Sequence, residues 1–277
     1  MPTVDRQRVR KSFQKGAVRY DHLTPLQQQV VEQLVAKLHL AAGEHLLDIG
    51  CGTGRLLAAL AKRFDNAQLT GLDLAFDMLQ QTAARADRNL LLVQGDAETL
   101  PFRDNSFHLI VSSSTFQWCD NLNRCFGEVY RCLKPSGNFK FALFGGKTFH
   151  ELHKSWQYAH KICDIKTEAG HDGTHRFHTT AEINSALLQQ GFEDVNVISR
   201  LKTEWYSDVN SMLQTVKQIG AGSSRPPKGG GLGWRRVFKA MAGFYEKEYG
   251  SADGIPATYE VIYGEGNKAA ISLCAKG

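Results

Sequence analysis

The run Leu46-Leu47-Asp48-Ile49-Gly50-Cys51-Gly52-Thr53-Gly54, with Asp73 closing the next apolar run, constrains this chain more than any other feature. An apolar strand enters glycines that let the backbone turn tightly and approach a ligand, and Arg55 to Lys62 then follow with helical periodicity. A turn of this kind is a nucleoside-binding turn, and Asp73, at the end of the second strand, is placed to accept hydrogen bonds from both ribose hydroxyls. The spacing is Gly-x-Gly-x-Gly and not the G-x-G-x-x-G of pyrophosphate binding, with Arg55 where the last fingerprint glycine would stand. That argues against a dinucleotide.

Apolar β runs at 45–49, 68–73, 90–94, 107–112 and 137–145 alternate with helical patterns at 54–63, 77–86 and 123–133, which predicts an α/β fold on a parallel sheet. Pro135-Ser136-Gly137 reads as a helix stop before a strand start. Beyond it come a mixed segment at 147–178, a helix at 180–190, a strand at 192–200, amphipathic helices at 207–220 and 234–249, and a closing β run at 258–265. Gly220 to Gly233, rich in Gly and Pro, reads as a loop between those helices. The expected organisation is one domain over 1–277. An N-terminal helical lid spans 1–40, the core takes 41–200 and 256–277, and a helical cap is inserted at 201–255.

No apolar run reaches the ~18 residues that span a bilayer, and Met1 to Arg19 has no apolar centre of a secretory signal. A cytoplasmic protein is expected, with a mitochondrial transit segment as the alternative that an Arg-rich start leaves open. The six cysteines form no C-x-x-C pair, so reduced thiols are expected. His171, His175 and His178 have helical metal-ligand spacing, but Gly170 and Gly173 disfavour the helix, and no metal is expected. Basic charge is concentrated: residues 1–20 hold six Arg/Lys against one Asp, and residues 200–247 hold nine against three acids. Two basic flanks on an otherwise acidic chain suit an acidic macromolecular partner.

The D-x-G-C-G-T-G form of the glycine turn resembles motif I of the class I S-adenosylmethionine-dependent methyltransferases. The resemblance implies a Rossmann-like fold, a mostly parallel seven-stranded sheet flanked by helices, with a cap before the last strand and N-terminal helices over the site. It implies a cofactor site built from Asp48, Gly50, Cys51, Gly52, Gly54, Asp73, Leu74, Met78, Asp96, Ala97 and Ser113. Asp73 would hold the ribose, Met78 the adenine face, Asp96 the adenine amino group, and Asp48 the turn and the ammonium end. Phe116 and Trp118, after the fourth strand, would touch substrate.

A narrower resemblance runs over nearly the whole chain. Tyr20-Asp21, Gly95-Asp96-Ala97-Glu98-x-Leu100-Pro101, Gln117-Trp118-Cys119, Phe144-Gly145, Arg176-Phe177, Lys217-x-Ile219-Gly220-Ala221 and Pro256-Ala257-Thr258-Tyr259-Glu260 are similar to the malonyl-acyl-carrier-protein O-methyltransferases of biotin synthesis, the BioC family. The loop Ser223 to Gly233 departs from the family pattern. This resemblance implies methyl transfer to the carboxylate of a malonyl thioester, with Tyr20, Arg176, Lys217 and Tyr259 as candidates to hold that carboxylate. It implies an acidic acyl carrier protein as partner, met by Arg225, Lys228, Arg235, Arg236 and Lys239. A methyltransferase for another small acid or quinone precursor, or an assembly factor that kept the fold, would share motif I. A nucleic-acid enzyme is disfavoured, because the chain lacks the Asn/Asp-Pro-Pro-Tyr motif of amino-group methylation.

Overall fold

A computed structural model describes residues 10–11, 25–86, 90–164, 176–218 and 232–270 of the chain. Among the described residues, one seven-stranded sheet runs in the order β3-β2-β1-β4-β5-β7-β6. Its strands are β1 (His45–Ile49), β2 (Gln68–Asp73), β3 (Leu91–Gln94), β4 (Phe107–Ser113), β5 (Leu133–Phe144), β6 (Glu193–Tyr206) and β7 (Ile255–Asn267). β1 to β5 are parallel, and β7 inserts antiparallel between β5 and β6. The helices are α1 (Pro25–Ala36), α2 (Arg55–Arg63), α3 (Phe76–Arg85), α4 (Leu122–Cys132), α5 (His150–Ile162), α6 (Thr180–Gln189), α7 (Val209–Gln218) and α8 (Leu232–Tyr249). Among the described residues, no helix is long and apolar enough to cross a membrane.

The apolar periodicities account for these elements. In α4, Leu122, Cys125, Phe126, Val129 and Cys132 fall on one stripe and are buried, which is the spacing a core-facing helix requires. They meet Phe116, Phe139, Phe141 and Phe192 across the sheet, rings crossing mostly edge to face, the arrangement the ring quadrupole favours. A second cluster lies under α1 on the other face of β1 and β4. A third joins α5, α7 and α8 to β7. α1 reaches both of these, with Val31 and Leu34 in the second and Leu26 and Val30 in the third.

Some boundaries differ from the sequence expectation. β5 begins at Leu133, so Pro135-Ser136-Gly137 lies inside it as an irregularity: the pairing passes from Phe107↔Leu133 to Leu109↔Asn138. Regular pairing resumes at Asn138, close to the expected start. β6 extends to Tyr206 and β7 begins at Ile255, because twelve residues of β6 pair with β7 in one long ribbon, a non-local ladder that local patterning does not reveal. β6 ends and β7 begins at the same sheet edge as the glycine turn, so α7 and α8 emerge at that edge.

Candidate functional site

Strand order reverses between β1 and β4, and in open α/β sheets the crevice beyond the strand ends at this point receives ligands. A cleft opens there. Gly50 and Gly52 form its floor, Asp73, Leu74 and Met78 one wall, Asp96 and Ala97 a second, and Ser113 and Trp118 a third. These nine sequence-predicted residues are thus brought together.

The turn's geometry follows from its residues. Gly50, Gly52 and Gly54 have φ of 70°, 56° and 78°, the left-handed region in which a side chain is strained. A Cβ on Gly50 would stand 2.1 Å from the Thr115 hydroxyl oxygen, whereas one on Gly52 meets nothing within 4 Å. Gly50 is therefore required by protein packing and Gly52 leaves open space. The Gly50 and Cys51 N–H groups donate to the Leu72 carbonyl at 2.7 and 2.9 Å, stitching the turn to β2. Asp73 completes the stitch: its Oδ2 accepts from the Gly52 N–H at 2.9 Å and its Oδ1 from the Ala75 N–H at 2.8 Å. Each oxygen keeps further acceptor capacity. Burial raises the Asp73 carboxyl above its usual range, and the backbone donors of Ala75, Gly52 and Leu74 offset part of that.

Asp48 lies below the turn and not in the cleft wall. It is 1% exposed, and neither carboxylate oxygen has a hydrogen-bond partner. Burial, and then the charge of Asp73, push its carboxyl well above the ordinary range. Buried polar groups are normally paired, so this orphan pair of oxygens is a place where negative charge can be drawn out by a cation. Asp96 has a structural task as well, its Oδ1 accepting from the Glu98 N–H at 2.9 Å.

Several expected site residues stand elsewhere. Cys51 and Gly54 face away from the cleft. Cys51 is buried in the cluster beneath α2, and a Cβ on Gly54 would meet Thr82 of α3 at 2.6 Å. Phe116 is 0% exposed, enclosed by Phe126, Phe139 and Phe141; it is core and does not line the cleft. Arg176 is ion-paired with Glu182 and its side chain is 57% exposed. Glu182 in turn closes the capping box on Thr179 that starts α6. The 176–179 segment nonetheless reaches the cleft rim, where the His178 ring bonds the backbone of Cys119, a cleft-lining residue. Tyr259 lies in the α5–α8 cluster and not in the cleft wall. Its ring packs on Phe144 and Phe149 and its hydroxyl meets that of Tyr206 at 3.3 Å, and Tyr206 donates to Glu204. Burial first, then Tyr206, raises the Tyr259 phenol far above its usual value. Arg235, Arg236 and Lys239 are exposed on α8. Tyr20, Arg225, Lys228, His171, His175 and the Lys217 side chain lie outside the described residues.

Arg10, Thr115 and Glu98 are not among the site residues expected from the sequence. Arg10 lines the cleft, and the basic N-terminus was its only signal. Thr115 fills the space against Gly50 and bonds the Ile49 carbonyl, a contact across 66 residues with no local signature. Glu98 is buried and accepts the Asp120 and Asn121 N–H groups at the start of α4. Its Gly-Asp-Ala-Glu context marked it, but not this task. Among the described residues, Glu98, Cys119 and Cys125 have their donor atoms within 4.8 Å of one another. Bonding to Cys119 and burial hold the Cys125 thiol protonated, so the trio reads as helix-cap packing.

Comparison with known proteins agrees with this architecture. Residues 47–141 match the methyltransferase domain family. The YcgJ protein of Bacillus subtilis superposes with a TM-score of 0.60 at 17% identity, over 87% of this chain and 98% of that one, a likeness of fold. The malonyl-[acyl-carrier protein] O-methyltransferase of Geobacter sulfurreducens is 43% identical over 96% of this chain and all of its own length. The protein of the same name from Methylovorus is 35% identical over 94% and 88%. A match over 96% of this chain is not confined to the glycine turn but runs through the cap, and so the chain belongs to the malonyl-[acyl-carrier protein] O-methyltransferase family.

Proposed function

We propose that this protein transfers the methyl group of S-adenosylmethionine to the free carboxylate of a malonyl group carried on acyl carrier protein, giving the methyl ester used early in biotin synthesis. Identity of 43% along the full length of a relative so named carries the acceptor. The cleft supports the donor: S-adenosylmethionine is cationic, Asp73 and Asp96 line the walls, and Asp48 lies buried beneath the turn, where a cation would draw out its charge. Gly52 leaves open the space that a Cβ would fill. Asp73 would hold the ribose hydroxyls with its remaining lone pairs, Asp96 the adenine amino group, and Met78, Leu74 and Ala97 the adenine faces. Ser113 and Trp118 would close the side toward the acceptor.

The bound cofactor supplies a methyl group on a sulfonium, which a carboxylate oxygen takes as the carbon–sulfur bond breaks. No protein base is needed, because a carboxylate is ionised near neutral pH. The chain's own work is alignment and exclusion of water, which supplies as much as ~7–11 kcal/mol of a barrier. Arg176 is the leading described candidate to steer the carboxylate, from a segment pinned to the cleft rim by His178. Its ion pair with Glu182 would have to open or be shared. Tyr259, buried and protonated, would act as a donor within the cap. Tyr20 and Lys217 stay as candidates on the resemblance. Arg235, Arg236 and Lys239, with Arg225 and Lys228, would steer the acidic carrier, an effect that salt screens.

Rescue of a biotin-requiring strain lacking this step tests the reading in cells. In vitro, Arg235→Glu/Arg236→Glu should lower kcat/KM for malonyl-carrier protein and flatten its salt dependence. Full activity of that variant at every ionic strength would defeat the steering assignment.

A further inference from the structure

We propose that the outward face of the α5–α8 pair, centred on the stacked rings of Tyr158 and Phe244, is the docking surface for an acidic helix of the carrier protein; the inference rests on the reaction proposed above. The two helices close against each other and β7 on their inner sides, where Leu152, Ala159, Val237, Met241 and Tyr245 are buried. The outer side is not needed for that closure, yet it is apolar at its centre. Tyr158 and Phe244 stack at 4.2 Å and 22°, Tyr158 is 41% exposed, and Ile162, one turn further along α5, is 48% exposed.

On α5 the charge that frames this patch has one sign. Lys154 and Lys161 stand one turn before and after Tyr158, both exposed. The one acid of α5, Glu151, is buried and bonded to Thr258. Asp164 lies beyond the helix end. On α8, exposed Lys247 stands one turn after Phe244 with exposed Glu248 beside it, and Arg235, Arg236 and Lys239 are exposed further toward the helix start. An aromatic and aliphatic centre flanked by Lys154, Lys161 and Lys247 has the anatomy of an interface hot spot with a polar, mainly basic rim, and its complement is an acidic helix with a small apolar stripe. A second copy of this chain fits less well, because a two-fold contact would set the lysines of α5 against their own kind.

The placement is also right for delivery. α5 starts six residues after β5 ends, and α8 leads into β7, both at the sheet edge that holds the glycine turn. A carrier seated on this face would present its prosthetic arm at the mouth of the cleft.

The test compares Tyr158→Glu/Ile162→Glu and Lys154→Glu/Lys161→Glu with wild type on two acceptors, malonyl-carrier protein and a short malonyl thioester without the carrier. The expected result is a rise of ten-fold or more in KM for the carrier-borne acceptor, with kcat/KM for the short thioester and cofactor binding unchanged. Equal activity on the carrier, or an equal fall on both acceptors, overturns the surface. If wild type methylates neither acceptor, the proposed reaction fails. Calorimetric titration with the carrier protein then still judges the surface, which requires that wild type bind and the variants not. Sedimentation and vesicle pelleting read the rival occupants: a wild-type dimer split by Ile162→Glu, or binding to anionic vesicles lost in the variants while carrier binding persists, also overturns it.

Discussion

Replacing Asp48 by Asn should make the stability of the cofactor-free protein fall less steeply with rising pH while weakening its hold on S-adenosylmethionine. Asp48 is 1% exposed, its two oxygens accept no hydrogen bond, and burial with the Asp73 charge raises its carboxyl. The folded protein therefore keeps the proton over a pH range in which the unfolded chain, at ~3.9, has lost it. Stability from this group is complete below the unfolded value and drains as pH rises toward the folded one, by up to ~1.4 kcal/mol per pH unit. Asn neither titrates nor repels Asp73, though its amide stays unpaired at a cost of about 1–3 kcal/mol. The variant should accordingly gain on wild type as pH rises, its stability falling less steeply. Differential scanning calorimetry of both proteins without cofactor, from pH 5 to 8, reads this as a shallower decline of Tm in the variant. Titration calorimetry in buffers of different ionisation heat supplies the second half: cofactor binding should release protons from wild type, and none from Asp48 in the variant, whose affinity should fall about ten-fold or more. A variant with the wild-type pH slope and wild-type affinity would refute the reasoning.

Gly50→Ala sets a Cβ 2.1 Å from the Thr115 hydroxyl oxygen at φ 70°, so strain of ~1–2 kcal/mol and overpacking of ~1–3 kcal/mol should appear as a lower Tm and loss of cofactor binding in calorimetry. Phe116→Ala empties the aromatic centre and should lose ~3–5 kcal/mol in denaturant unfolding; a stable variant with only a raised KM would return Phe116 to the substrate. Lys268 donates to the Tyr130 and Leu133 carbonyls, both at 2.8 Å, and to Asn105 Oδ1 at 2.9 Å. Lys268→Met should lower stability by ~2–3 kcal/mol with unchanged steady-state kinetics, since this anchor lies away from the cleft.

The sequence made legible what local periodicity and turn chemistry determine. The first five strands, their helices and the glycine turn lie close to expectation, because each is a short apolar run or stripe bounded by Gly, Pro or caps. Asp73, Asp96, Met78 and Trp118 converge because they follow successive parallel strands, and topology alone then brings them to one edge. What was not legible depends on partners distant in sequence. Phe116 is core because Phe126, Phe139 and Phe141 surround it, and Arg176 is engaged by an acid that a capping box fixes in place. The last turns of β6 and the first of β7 exist because each pairs with the other. Cys51 and Gly54 are expected in the cleft from motif position, but Cys51 packs into the cluster beneath α2 and Gly54 packs against Thr82 of α3, contacts distant in sequence.

The central claim is methyl transfer to a carrier-borne malonate, and mass spectrometry of malonyl-acyl carrier protein incubated with this protein and methyl-labelled S-adenosylmethionine tests it most directly. One labelled methyl is expected on the malonyl carboxylate as an ester, with none on unloaded or acetyl-loaded carrier. Tight cofactor binding with no label on the malonyl group, or label on a different acceptor at comparable rates, would contradict it.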